Sequence, residues 1–161
     1  MSIAKFSHVS VAQYEKDMQG IGSPMDLHEI PLPKRSTRGS AGYDIVSPAE
    51  IRIPAHGTAL IPTGIRCRMD EGWVLLIFPR SGLGRKYQIR LSNTVGVIDS
   101  DYFDAENEGH IMVPLRNPTD TDRVIGKGER FCQGVFVAYG TAEEEDDFAE
   151  RTGGFGSTGK K

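Results

Sequence analysis

Turns come too often in this chain for long helices to form. Between residues 40 and 137, apolar or alternating runs are soon cut by turn-forming clusters, among them Ala55-His56-Gly57, Asp70-Glu71-Gly72, Pro118-Thr119-Asp120 and Gly126-Lys127-Gly128. Nineteen glycines and nine prolines in 161 residues supply the backbone conformations that such turns need. The runs between them are rich in β-branched and aromatic residues, which favour a pleated, half-buried backbone. Strands are expected at residues 40–46, 51–54, 58–62, 65–69, 73–78, 111–117 and 131–137. Ile65-Arg66-Cys67-Arg68-Met69 alternates with the period of a strand buried on one face. Trp73 to Phe78 is near-continuously apolar, as in a strand covered on both faces. Pro114 points to an edge or a bulge, and residues 89–91 and 95–98 flank Ser92-Asn93-Thr94 as the arms of a hairpin. Nearer the amino terminus, residues 3–11 read as a first strand, or residues 11–18 as a short helix with Tyr14 and Met18 on one side. Residues 20–34, with Gly-Ser-Pro and Pro-Leu-Pro, read as an irregular connection. Many short strands and little helix predict an all-β barrel or sandwich.

The length fits one domain with its own core. Residues 1–148 are expected to form that β domain, with 1–31 as an N-terminal strand and irregular extension. A net charge of −3 and a pI near 5.8 argue against a nucleic-acid partner gripped by phosphate neutralisation. No stretch is long and apolar enough to span a bilayer, and Met1-Ser2-Ile3-Ala4-Lys5 lacks the apolar run of a signal peptide. A cytoplasmic protein with no membrane partner is expected. Cys67 and Cys132 have no CxxC spacing and fit buried free thiols better than a bridge. His8, His28, His56 and His110 show no metal-ligand spacing.

Three stretches carry chemistry. In Gly96-Val97-Ile98-Asp99-Ser100-Asp101-Tyr102, a strand delivers an aspartate at its end. A carboxylate mounted on stiff structure can take a proton from a bound water and make it a nucleophile; the competing reading is that Asp99 caps a turn. In Pro79-Arg80-Ser81-Gly82-Leu83-Gly84-Arg85-Lys86, glycines let backbone N–H groups face an anion while Arg80 and Ser81 supply side-chain donors; a solvated basic turn competes. The tail after the acidic run 143–147 is glycine-rich and cannot fold alone. Its arginine, its aromatic ring and its Gly-Ser-Thr cluster are what a mobile arm needs to close over a nucleotide, by phosphate pairing, base stacking and backbone wrapping. An arm with nothing local to bind suggests an oligomer, and closed symmetric rings are the common solution.

Five stretches together resemble the trimeric dUTPase (deoxyuridine triphosphatase) family. They are Ala41-Gly42-Tyr43-Asp44, Pro79-Arg80-Ser81-Gly82-Leu83, Gly96 to Tyr102, Gly128-Glu129-Arg130 with Gln133, and Arg151 with Gly153-Gly154-Phe155-Gly156-Ser157-Thr158-Gly159. They stand in the family's order across residues 39–159. The resemblance implies a jelly-roll-like distorted β-barrel of the β-clip kind, a homotrimer with active sites between subunits, and magnesium-dependent hydrolysis of dUTP to dUMP and pyrophosphate. It implies that Asp99 activates the water attacking the α-phosphorus, and that Tyr102 packs against the deoxyribose. Asn93 and the backbone of Gly96, Val97 and Ile98 would read the uracil edge. Arg80, Ser81, Gly82 and Gln133 would contact phosphates. Residues 149–161 would be the closing arm, with Arg151 on the γ-phosphate, Phe155 over the uracil, and Gly156, Ser157 and Thr158 around the phosphates. No residue is expected to bind the metal directly: phosphate oxygens and water would hold Mg2+, with support from Asp44.

The chain departs from the family pattern in two places. The usual Tyr-Arg-Gly-Glu-Ile becomes Tyr102, an insert of residues 103–107, and then Glu108-Gly109-His110-Ile111. The segment before Leu32 has no counterpart in the shortest family members. Two alternatives remain: a dCTP deaminase-like nucleotide enzyme, or a non-catalytic regulatory protein on the same fold. The first needs a proton-shuttling glutamate where this chain has Pro114. The second has no reason to keep Asp99, Arg151 and Phe155.

Overall fold

The computed structural model describes residues 2–143. The expected closing arm, with Arg151, Phe155, Gly156, Ser157 and Thr158, lies outside them. In chain order the described elements are β1 (Ala4–His8), α1 (Val11–Asp17), β2 (Lys34–Arg35), β3 (Tyr43–Val46), β4 (Ile51–Ile53), β5 (Thr58–Pro62), β6 (Ile65–Met69), β7 (Trp73–Pro79), α2 (Ser81–Tyr87), β8 (Arg90–Leu91), β9 (Gly96–Ile98), β10 (Met112–Arg116), β11 (Arg123–Ile125) and β12 (Arg130–Ala138). Short 3-10 turns form at Leu27–Glu29 and Ser100–Asp104.

Every strand pairing among the described residues is antiparallel. The main sheet has the order β2-β3-β12-β7-β9, a second has β5-β10-β8, and β1-β6 and β4-β11 form two-stranded ribbons. This is the distorted jelly-roll-like β fold that the sequence predicts. The alternating patterns become its core. In β6, Ile65, Cys67 and Met69 point inward while Arg68 faces solvent, and in β4 Ile51 and Ile53 flank exposed Arg52. Ile45, Leu75, Ile77, Ile61, Leu115 and Phe131 are almost wholly buried, each contributing about 1.5–3 kcal/mol of burial. β12 and β7 approach closely because position 134 is glycine: a Cβ there would lie 2.7 Å from Leu75 Cδ1. Cys67 and Cys132 are free and buried. Burial pushes the Cys67 thiol up to about 12 and Cys132 well above its ordinary value, so both stay protonated.

Several sequence expectations change in three dimensions. The amino terminus forms both the strand and the helix: Ser10 separates them and its hydroxyl accepts the Gln13 N–H as the N-cap of α1. Tyr14 and Met18 are buried, as their spacing implies. Among the described residues β7 is not fully covered on both faces. Leu75 and Ile77 are buried, whereas Val74, Leu76 and Phe78 are half-buried. The proposed hairpin around Asn93 is split between sheets, with β8 joining β10 and β9 joining β7. The turn itself persists through Thr94 N–H to Leu91 O (3.2 Å). β10 is a central strand, not an edge. It tolerates Pro114 because that residue's carbonyl, and hence its missing N–H, faces the side where β8 has ended at Leu91 and the next residue, Ser92, donates its N–H to Pro114 O at 2.8 Å.

Candidate active site

β7 is the strand on which the candidate site residues are hung. Its carboxyl end leads into Arg80, which is the N-cap of α2. The Pro79-to-Lys86 stretch is therefore mostly a helical turn and not an open loop. Arg80 O accepts the Leu83 and Gly84 N–H groups at 3.0 and 3.3 Å, and buried Leu83 pins the helix to the core. Ser81 and Gly82 stand exposed in its first turn, where helix geometry leaves N–H groups without intrahelical acceptors. Gln88, left-handed at φ 57°, closes the helix.

The neighbouring strands supply the next two groups. Gln133 in β12 lies opposite Asp44 of β3 on one side and Phe78 of β7 on the other. Its side chain occupies the space beside Gly42, where a Cβ would stand 2.2 Å from Gln133 Oε1. Glycine at position 42 is thus a requirement of the Gln133 rotamer. Asp44, whose side chain is only 11% exposed, forms an ion pair with Arg80 (Nε to Oδ1, 3.2 Å) and accepts a hydrogen bond from Arg130 Nη1 at 3.2 Å. The Ser36 hydroxyl donates to the same carboxylate at 2.7 Å. Two cations around one largely buried carboxylate fix the direction of Arg80. The sequence reading gave Arg130 and Ser36 no role. Arg130 had a signal, its place in Gly128-Glu129-Arg130; Ser36 had none, because only the β2–β3 pairing brings it here.

β9 carries the other group of residues. Gly96 backs onto Ile77, with a would-be Cβ 3.0 Å from Ile77 Cβ. Val97 points outward and is 58% exposed, and Asn93 lies exposed in the preceding turn. Asp99 follows in extended conformation (φ −79°, ψ 161°) and opens the 3-10 turn, its carbonyl accepting the Tyr102 N–H at 3.2 Å. Asp99 thus starts the turn, as the competing reading has it, but its side chain makes no capping hydrogen bond there. Tyr102 is 4% exposed. Its hydroxyl donates to His110 O at 2.8 Å and accepts Asn107 Nδ2–H at 2.7 Å. The insert is thereby bound to the tyrosine it follows.

The second group runs along β7 from near Arg80, where Gly96 lies opposite Ile77, to the other end of the strand, where Asp99 follows. Ile98 is opposite Leu75 and Gly96 opposite Ile77, so one further step sets Asp99 level with Val74. Arg80 lies six residues along from there, roughly 20 Å of strand. Asp44, Arg80, Gln133 and α2 are brought together within one chain; Asp99 and Tyr102 are held apart from them.

Among the described residues no group of three or more His, Cys, Asp or Glu side chains gathers as a metal cage. No helix among them is long and apolar enough to cross a membrane.

A dUTPase family profile matches residues 28–159. The chain is 48% identical over 133 residues to the deoxyuridine 5'-triphosphate nucleotidohydrolase of Lactococcus lactis subsp. lactis (strain IL1403), covering 81% of this chain and 89% of the relative. It is 45% identical over 142 residues to the enzyme of the same name from Ralstonia pickettii (strain 12J), covering 83% and 92%. Among solved structures it is similar to the dUTPase from Streptococcus mutans, with TM-score 0.70, 37% identity and coverage of 86% and 98%. A mutant dUTPase from phage phi11 of S. aureus, described with a structural Mg(II) ion, shares the fold at TM-score 0.68 and 19% identity, covering 91% and 97%. An aspartate delivered by β9, an arginine aimed by a buried carboxylate, and a match running from residue 28 to residue 159 lead to one assignment: this chain belongs to the dUTPase family.

Proposed function

We propose that this protein is a cytoplasmic dUTP diphosphatase that hydrolyses dUTP to dUMP and pyrophosphate, lowering dUTP and supplying dUMP for thymidylate synthesis. Its sites are shared between the chains of a homotrimer. Asp99 accepts a proton from water as the water oxygen bonds to the α-phosphorus. The bond from that phosphorus to the bridging oxygen breaks, and pyrophosphate departs. Arg80, Ser81, Gly82 and Gln133 hold the phosphates and offset the charge that develops on them. Asn93 and the Gly96 to Ile98 backbone read the uracil, and Tyr102 backs the sugar. The residues 149–161 close the site, with Arg151 and Phe155 on the phosphate and the base, and Gly156, Ser157 and Thr158 along the phosphates.

Family membership supports the substrate. The observation that carries the shared site is the separation of Asp99 from Arg80 along β7. That separation along the strand supports a site whose complementary half comes from a second copy. Ring closure of such a head-to-tail contact gives a cyclic oligomer.

Magnesium fits as a passenger of the substrate. Asp44, the acid nearest the phosphate-binding group, already faces two arginines and a serine. Phosphate oxygens and water would therefore supply the ligands, as magnesium prefers, and Asp44 would support at one remove. The ion's contribution is to neutralise triphosphate charge.

Steady-state pyrophosphate release across dUTP, dTTP, dCTP and UTP, with and without magnesium, tests the proposal. Selective release from dUTP is the expected result. Ammonia from dCTP without pyrophosphate from dUTP replaces it with a deaminase; inertness toward all four replaces it with a binding protein.

A further inference from the structure

The family match begins at residue 28, so β1 and α1 precede it, and residues 103–107 interrupt the pattern after Tyr102. In the structure the first addition is joined to the residues that directly follow the second. Ser10 donates its backbone N–H at 2.7 Å and its hydroxyl at 2.6 Å to the two carboxylate oxygens of Glu108. The same hydroxyl oxygen accepts the Gln13 N–H at 3.1 Å, so the α1 cap and the clamp on Glu108 are one group. At the other end of the helix, Asp17 meets His110 Nδ1 at 2.6 Å. His110 Nε2 accepts the Gly64 N–H at 2.7 Å, so the ring proton resides on Nδ1 and points at Asp17.

The chain between these anchors is constrained. Glu108 lies at φ 58° and Gly109 at φ 68°, and a Cβ on Gly109 would stand 2.6 Å from Tyr102 O. A glutamate in the left-handed region persists only where its surroundings hold it, and Ser10 does so. From there the contacts run inward. Asn107 and His110 O bracket the Tyr102 hydroxyl, and the Tyr102 N–H holds the Asp99 carbonyl. On the outer side, Arg66 and Arg68 lie over the Phe103 ring at 3.5 and 4.6 Å, Arg66 also donating to Phe103 O. They fasten the insert to β6, the partner of β1. Buried Tyr14, Met18 and Leu27 already attach the extension to the core, so docking alone does not require the polar contacts. They are directed at the segment that follows Asp99.

We propose that α1 is a positioning element for catalysis: by clamping Glu108 and His110 it holds the Tyr102 turn, and through it the backbone that presents Asp99. Asn107, His110 and Glu108 are positioning residues in this scheme. It rests on the reading of Asp99 as the base of dUTP hydrolysis.

The test compares Asp17→Ala, Glu108→Ala and Asn107→Ala in the full chain with Asp17→Asn, which keeps an acceptor for His110. Each alanine variant is expected to lower kcat about tenfold with KM for dUTP within about twofold, as for slight misplacement of a reacting group, and Asp17→Asn to recover it. Amide hydrogen exchange at residues 99–110 should quicken in the alanine variants. Unchanged kcat alongside a lowered melting temperature makes α1 a stabiliser only and overturns the proposal. Asn107→Ala leaves the α1 contacts in place, so it decides the matter if Asp17→Ala does not fold: an unaltered kcat there overturns the route through Tyr102. Failure of the underlying function appears differently, as a wild-type protein releasing no pyrophosphate from dUTP. Exchange then decides alone, because identical rates at 99–110 in wild type and variants refute the clamp and faster rates in the variants uphold it.

Discussion

Asp17 and His110, one on the N-terminal helix and one after the insert, meet at 2.6 Å with the histidine wholly buried. Burial disfavours the imidazolium more than Asp17 favours it, so the His110 pKa lies below the ordinary histidine value. Its charge state is thus set by tertiary structure. The unfolded histidine takes up a proton near pH 6.5, and the folded one only at lower pH. The unfolded state therefore binds more protons in that window. The stability conferred is complete above about pH 6.5 and declines as pH falls toward the folded pKa. Glu108 acts with the same sign at lower pH, because hydrogen bonds from Ser10 hold its carboxyl below the usual range. The NMR titration of the His110 ring should have its midpoint below 6.5, and thermal stability should fall between pH 7 and 5.5. A midpoint above 6.5 refutes the neutral assignment.

Replacing Asp99 removes the base and leaves the phosphate grip untouched. Asp99→Asn is expected to cut turnover by about a hundredfold or more, with nucleotide affinity kept within roughly tenfold. Single-turnover kinetics and equilibrium binding of dUTP separate the two effects. Undiminished turnover excludes Asp99 from the chemistry.

The two ends of β7 can be tested against each other. Asp99→Asn and Arg80→Ala homo-oligomers should each be nearly inactive. Subunits mixed in equal amounts and reassembled should recover about a quarter of wild-type activity, since half of the positions supplying each residue are intact and a site needs both. If each chain instead held a complete site, mixing would restore nothing.

Gly42 and Gln133 form a smaller coupled pair. The atom that a Cβ at position 42 would strike is the far end of a flexible side chain, so Gly42→Ala should fold, its melting temperature shifting by only a few degrees, on the order of 1 kcal/mol. The displaced amide should raise KM severalfold. Gln133→Ala should do the same, and the double variant should be no worse than either single one. Additive losses in the double variant refute the coupling.

Removal of residues 151–161 should leave a folded oligomer with little hydrolysis, followed by light scattering and pyrophosphate release. An unfolded product refutes their role as a closing arm.

The strands were legible because alternation is a local property. Whether Ile65, Cys67 and Met69 turn inward depends on the pleat, which two residues already define. Asp99 and Arg80 were legible for a related reason, since they stand in compact motifs at strand ends, whereas Gln133, inside β12, was legible only through the family resemblance. Misjudged features depended on what lay across the sheet. The arms around Asn93 look like a hairpin, yet β8 and β9 find different partners; Pro114 looks like an edge residue, yet it sits in a central strand beside a neighbour that has just ended.

By itself the sequence determined the β character, the turn positions, the family, and the residue types available for chemistry. Tertiary structure alone decided that Asp44 holds Arg80 with help from Arg130 and Ser36, that Asp99 stands at the far end of β7 from Arg80, and that the N-terminal helix and its cap grip Glu108 and His110, just after the insert, through Ser10 and Asp17. Pairing across a sheet joins residues by register and not by distance along the chain, and no local pattern records which strands will meet.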